Sequence, residues 1–197
     1  MVATLAVLAG GEGRRMGRPK AELRVGGTPI LAYLLDRFSW EGPTLLVSAP
    51  GRQRPPGAER FTREVVDSVA GEGPLRGVIT ALEATETENL LVASCDMPLI
   101  EPRQLRWLGN TLADAVACPL IMLARAGGRL EPLPLAVRAN AARDVRAHLL
   151  DGNRSLHSLV RLKGAQVATA PDERPESVWT NLNTPGDFER FLRQFNP

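Results

Sequence analysis

The chain has 197 residues, 44% hydrophobic and 23% charged, with a formal net charge of +2. That length fits one domain with a proper core, and so mild a charge argues against a nucleic-acid partner, which needs a basic face or stripe. No apolar run approaches the roughly 20 residues that span a membrane. The opening MVATLAVLAGG is short and lacks the basic start of a secretory leader. Cys95 and Cys118 sit in or beside apolar runs without metal-ligand spacing, and read as reduced core thiols of a cytoplasmic protein.

Ala3 to Leu8 is a short apolar run ended by Gly10-Gly11, the pattern of a buried strand. Thr28-Pro29 reads as the cap and first residue of a helix reaching about Phe38. Thr44 to Val47 and Glu64 to Val66 read as strands, separated by the Pro/Gly/Arg-rich loop Pro50 to Gly57. Leu75 to Ala84 has helical apolar spacing, Asn89 to Ser94 is a strand closed by Cys95-Asp96-Met97-Pro98, and Pro102 to Leu112 is a helix. Further on, Ala115 to Leu123 and Glu131 to Val137 read as strands, and Ala139 to Leu150 and Ser155 to Leu162 as helices. Gln166 to Thr169 reads as a strand, Asp172 to Glu176 as a surface loop and Pro185 to Phe195 as a final helix. Strands apolar throughout and alternating with helices predict an α/β fold. We expect a Rossmann-like three-layer sandwich around a mostly parallel sheet.

In such a sheet, ligands bind beyond the carboxyl ends of the strands, where the loop Gly10 to Pro19 leaves the first strand. Its glycines let backbone N–H groups approach an anion, and Arg14, Arg15, Arg18 and Lys20 add four positive charges. Of 24 basic residues only Lys20 and Lys163 are lysine, so the one inside this loop stands out as a compact, flexible point charge. The loop is neither a P-loop, since Lys20 is followed by Ala21, nor a GxGxxG fingerprint, since Met16 stands where the third glycine would fall. Asp67 and Asp96 each end a strand, and Asp96 in a tight turn is a candidate Mg²⁺ ligand. His148 and His157 have no metal-ligand company and read as structural or surface residues.

The stretch LAGGEGRRMGRPKAEL, Leu8 to Leu23, resembles the signature of the MobA-type nucleotidyltransferases, approximately LAGGxSxRMGxxKxxL. VVDSVAGEGPLRGV (Val65 to Val78), CDMPL (Cys95 to Leu99), Glu131-Pro132-Leu133 and WTNLNTPGD (Trp179 to Asp187) resemble further family motifs in order. The last of these tilts the resemblance toward the molybdenum cofactor guanylyltransferases within the family. The resemblance implies the nucleotide-diphospho-sugar transferase type of fold in one domain, 1–197, with a nucleotide-binding half (1–100) and an acceptor-binding half (101–197). It implies transfer of GMP from GTP to molybdopterin with release of pyrophosphate, supported by Mg²⁺ at Asp96. Lys20 and, more weakly, Arg15 are expected at the phosphates, and Leu8, Ala9, Gly10 and Gly11 at the nucleotide through the main chain. Asp67, Asp96, Gly73 and Pro74 are expected to complete the nucleotide site, with Arg76 near phosphate.

On the acceptor side the resemblance implies Glu131, Asn181 and Asn183. Asn183-Thr184-Pro185 is equally a plain helix start, and Trp179 reads as packing more than as a pterin stack. Implied partners are the two substrates, with other cofactor-biosynthesis proteins or apo-molybdoenzymes as candidates, for a monomer or weak oligomer. Three positions depart from the pattern: Gly13 replaces a serine or alanine, Gly186 an acidic residue, and Pro50 an asparagine whose nucleotide contact a neighbour such as Ser48 would have to make. The residues leave open a sister enzyme using CTP, or one acting on a sugar or polyol phosphate. A nucleotide-binding regulator without catalysis is a third reading, against which Lys20 with two strand-end aspartates argues.

Overall fold

Ala3–Leu8 forms strand β1, with all six residues buried. A strand of this kind has no face to offer water, and it sits inside the sheet, third from one edge. A computed structural model describes residues 2–11, 13–69, 71–125, 128–170 and 176–195, so most of the stretch expected as a loop, 172–175, lies outside the described residues. β1 pairs in parallel with β4 (Thr44–Ser48) on one side and β6 (Asn89–Ser94) on the other, and β4 pairs in parallel with β5 (Arg63–Val66). In register, Leu8 lies opposite Val47 and Ser94, and Ser48 opposite Val66. The four strands therefore end level, and the residues that follow them emerge along one edge.

Beyond β6 come β8 (Leu130–Arg138), β7 (Leu120–Ala124) and β9 (Gln166–Thr169), giving the order β5-β4-β1-β6-β8-β7-β9. β8 is antiparallel to both β6 and β7, while β9 is parallel to β7, so β8 alone runs against the rest. Pro132 and Pro134 in β8 cannot donate to a ladder. The β7–β8 register shifts at this point, between Met122 and Leu123, which brings Glu131 opposite Leu123.

Helices cover the sheet as expected: α1 (Ile30–Phe38), α2 (Pro74–Ala84), α3 (Pro102–Asp114), α4 (Ala142–Leu150) and α5 (Pro185–Phe195). α1 packs with α3 and, through an edge-on pair of Tyr33 and Phe191, with α5, while α2 packs with α4. Two expectations are corrected. Thr28 does not cap α1. It pairs with Val25 in a two-strand hairpin, β2 (Arg24–Val25) and β3 (Thr28–Pro29). Gly26 and Gly27 turn that hairpin with φ of 55° and 85°, the double left-handed conformation that two-residue hairpins require. The strand expected from Ala115 starts only at Leu120, because Ala115 to Cys118 close a turn through Cys118 N–H donating to Ala115 O.

Candidate active site

The level strand ends assemble one cleft of about 750 Å³. Leu8, Gly10 and Gly11 line it from the end of β1, Ala49, Pro50 and Arg52 from the loop after β4, Asp67 and Val69 from β5, and Ser94, Cys95 and Asp96 from β6. Gly73, Pro74 and Gly77 close one wall at the start of α2. Of the residues expected at the nucleotide, Leu8, Gly10, Gly11, Arg15, Lys20, Asp67, Gly73, Pro74 and Asp96 all line this cleft, as does Asn183 from the far end of the chain. Ala9 faces the neighbouring cavity of about 240 Å³, and its N–H donates to Val47 O.

The glycine loop is held at both ends. Met16, 5% exposed, plugs it into the core, and its N–H donates to Gly13 O. Gly13 has φ of 62°, and a Cβ there would lie 2.0 Å from the Arg18 carbonyl oxygen. No side chain fits that approach, which accounts for glycine in place of the family's serine or alanine. Arg18 lies over the Phe188 ring of α5 at 6.0 Å. Lys20, in a 3-10 turn over Lys20–Glu22, then reaches into the cleft.

At the head of the cleft Lys20 Nζ donates to Asp96 Oδ2 at 2.6 Å and to Asn183 Oδ1 at 2.8 Å. Both side chains of the ion pair are mostly buried, at 15% and 19% exposure. The backbone holds the same junction, since Leu182 N–H donates to Asp96 O at 2.8 Å and Leu182 is fully buried. Thr184, not Asn183, caps α5. Thr184 Oγ1 accepts from Asp187 N–H, while Asp187 Oδ2 accepts from Thr184 N–H, Thr184 Oγ1 and Asn183 N–H. This reciprocal capping box holds the Asp187 carboxyl below its usual range, chiefly through the Thr184 hydrogen bond. It leaves the Asn183 side chain free of capping duty.

Asp67 sits at the opposite end of the strand row. Burial raises its pKa, against lowering by a Thr80 hydrogen bond and the Arg76 charge, and its Oδ1 is buried without a hydrogen-bond partner. Arg76 is not among the lining residues. It bonds Ser68 Oγ and lies 3.9 Å from Glu72, so it braces the loop before α2. Burial, with the Asp96 charge beside it, pushes the Cys95 thiol up to about 12, which leaves no thiolate ligand here.

The acceptor-side residues separate. Glu131 does not line the cleft. It is buried and paired at 2.5 Å with Arg125, whose guanidinium lies 5.5 Å from the ring centre of Trp179. Trp179 is itself buried, in keeping with a packing role. Asn181 donates from Nδ2 to Trp179 O in a local turn. His148 bonds Ser158 Oγ through Nε2 and ties α4 to the following 3-10 helix, a structural role. Ser48 does not line the cleft: it lines the neighbouring cavity, with its hydroxyl 3.4 Å from Glu64 Oε1 and 3.5 Å from Val65 O. No spacing in the sequence singles out Arg52. It lines the cleft from the Pro/Gly/Arg-rich loop and makes no ion pair among the described residues. Nor is Leu133 singled out, because it arrives from the antiparallel strand β8, whose place in the sheet the sequence does not reveal.

A glycine-rich loop, a lysine and two strand-end aspartates gather around one cleft of a mostly parallel sheet, a layout suited to nucleotide phosphates. Residues 5–169 match the family model of the MobA-like NTP transferase domain. The chain is 34% identical over 195 residues to the molybdenum cofactor guanylyltransferase of Cereibacter sphaeroides, covering 93% of this chain and 92% of that one. It is 31% identical over 185 residues to that of Shewanella piezotolerans, covering 91% and 86%. The crystal structure of molybdopterin-guanine dinucleotide biosynthesis protein A from Archaeoglobus fulgidus superposes with a TM-score of 0.78 at 26% identity, covering 98% of each chain. The chain belongs to the MobA-like NTP transferase family and is a nucleotidyltransferase.

Proposed function

We propose that this enzyme transfers GMP from GTP to molybdopterin, forming the guanine dinucleotide and releasing pyrophosphate. The observation that carries the reading is the Lys20–Asp96 pair at the head of a cleft running along four level strand ends, in a chain similar almost end to end to guanylyltransferases. The acceptor's phosphate oxygen attacks the α-phosphorus. The new P–O bond forms as the bond to the β-phosphate's bridging oxygen breaks, and pyrophosphate takes that electron pair. Two anions must approach, so the protein's task is to neutralise charge and align the groups more than to move protons. Lys20 meets the triphosphate, and Arg15, which also lines the cleft and makes no ion pair among the described residues, is the weaker candidate to meet the departing pyrophosphate. The main chain of Leu8, Gly10 and Gly11 and the Asp67 carboxyl hold the nucleoside.

Among the described residues no group of three or more His, Cys, Asp or Glu gathers into a metal cage. The cleft offers carboxylate oxygens instead, from Asp96 and Asp67. One or two carboxylates completed by phosphates and water is the donor set that suits Mg²⁺. Asp96 would hold that ion, which would supply further neutralisation of the phosphates. No described helix is long and apolar enough to cross a membrane, and both cysteines are free and buried. On that cysteine usage we place the enzyme in the cytoplasm.

One observation favours a second reading. Pro50 lines the cleft with no side-chain hydrogen-bonding group, so the nucleotide contact of the family's asparagine is lost or belongs to other residues, and a CTP-using sister enzyme is the alternative. Calorimetric titration with GTP, CTP, ATP and UTP, each with and without Mg²⁺, separates the two. Tightest binding of GTP is expected, and tightest binding of CTP would reject the guanylyl reading. Asp96→Ala should abolish transfer while leaving the fold intact.

A further inference from the structure

We propose that Asn183 is a positioning residue for the phosphate lysine, aiming the Lys20 ammonium at the nucleotide. The proposal rests on the reading of Lys20 as a phosphate ligand. An ammonium group has three N–H donors. Two are taken by this chain, one by Asp96 Oδ2 at 2.6 Å and one by Asn183 Oδ1 at 2.8 Å. With two donors fixed from different sides, the third has a defined direction, and the cleft that Lys20 lines is where a phosphate meets it.

The chemistry of the two partners differs in a way that serves this role. Asp96 orients Lys20 but cancels its charge. Asn183 orients it through a neutral carbonyl and leaves the positive charge available. Without Asn183 the flexible lysine stem would close onto Asp96 alone.

The surroundings are built to deliver this contact. Asn183 lies 163 residues from Lys20 in sequence. Its backbone is fixed on one side by Leu182, buried and bonded to Asp96 O, and on the other by the Thr184–Asp187 capping box. Because Thr184 takes the cap, the Asn183 side chain is not needed to start α5. The late segment of the chain thus sets the position of a charge in the nucleotide half.

Titration calorimetry of Mg²⁺-GTP, with no acceptor present, tests this on wild type, Asn183→Ala, Lys20→Met and the double variant. For Asn183→Ala we expect Kd to rise about tenfold, the lower end for a hydrogen bond to a charged group. In the Lys20→Met background the same change should alter Kd by less than twofold, because a residue acting through Lys20 has nothing left to position. Asn183→Leu, near in volume, should repeat the alanine result, with thermal melts showing both variants folded. Unchanged GTP affinity in the folded single variants would overturn the proposal and return Asn183 to the acceptor alone. A full tenfold effect persisting without Lys20 would overturn it as well, by showing direct contact with the nucleotide. If wild type prefers CTP, the guanylyl reading fails, and the same cycle run with CTP still decides the role of Asn183.

Discussion

Replacing Lys20 by Met removes the one lysine of the cleft while keeping an unbranched stem of similar length. In the free enzyme Lys20 Nζ lies 2.6 Å from Asp96 Oδ2, with both side chains less than a fifth exposed. A unit charge about 4 Å from a phosphate oxygen contributes about 4 kcal/mol at the effective dielectric of a partly buried site. A net gain of about 1.5–3 kcal/mol then remains after desolvation. At about 1.4 kcal/mol per factor of ten, kcat/KM for the nucleotide should fall about 10- to 150-fold. The assay is pyrophosphate release with the nucleotide varied at fixed acceptor, with a thermal melt as fold control. Lys20→Arg should recover only part of the activity, because a planar guanidinium cannot place one atom between Asp96 Oδ2 and Asn183 Oδ1. A folded Lys20→Met enzyme within fivefold of wild type would refute the charge argument.

Asp67→Asn should raise Tm at pH 7 and weaken nucleotide binding. Burial raises the folded pKa of Asp67 above its unfolded value near 3.9, so ionisation costs stability as pH rises through the folded pKa. The stabilisation should vanish below about pH 4, where Asp67 is protonated in both states. A melt series from pH 3 to 8 checks this, and a gain that did not depend on pH would sink it. Glu131→Gln should lower Tm by about 10 °C, because it strips the carboxylate charge from a mostly buried Arg125 at a cost of about 3–5 kcal/mol. Nucleotide affinity should stay within twofold, and a selective loss of acceptor affinity at unchanged Tm would restore Glu131 to the acceptor site. Gly13→Ala puts a methyl group 2.0 Å from the Arg18 carbonyl, so the loop must move and kcat/KM should drop at least tenfold. Wild-type kinetics in that variant would mean the loop tolerates the shift.

The parts of the site legible in the sequence are those set by local chemistry. An apolar run ending in glycines makes β1 a buried strand with a loop at its carboxyl end, and the strand-end positions of Asp67 and Asp96 follow from the same patterning. In a parallel sheet these facts place the loop and both carboxylates along one edge, as the register of β5, β4, β1 and β6 bears out. The Gly26-Gly27 hairpin is equally local, but its signal competes with Thr28-Pro29, which also satisfies the rule for a helix start.

What only the tertiary structure decided are contacts between residues far apart in the chain. Whether Asn183 caps a helix or reaches a ligand depends on which neighbour takes the cap, and Thr184 takes it. That leaves Asn183 to meet Lys20, a pairing no spacing rule contains. Glu131 carries a family motif, yet in the shifted register around Pro132 and Pro134 it pairs with Arg125, whose guanidinium lies over the Trp179 ring. Periodicity and turn chemistry act over a few residues and are written in the sequence. The partner of a side chain beyond that range depends on how sheet order and register bring distant segments together.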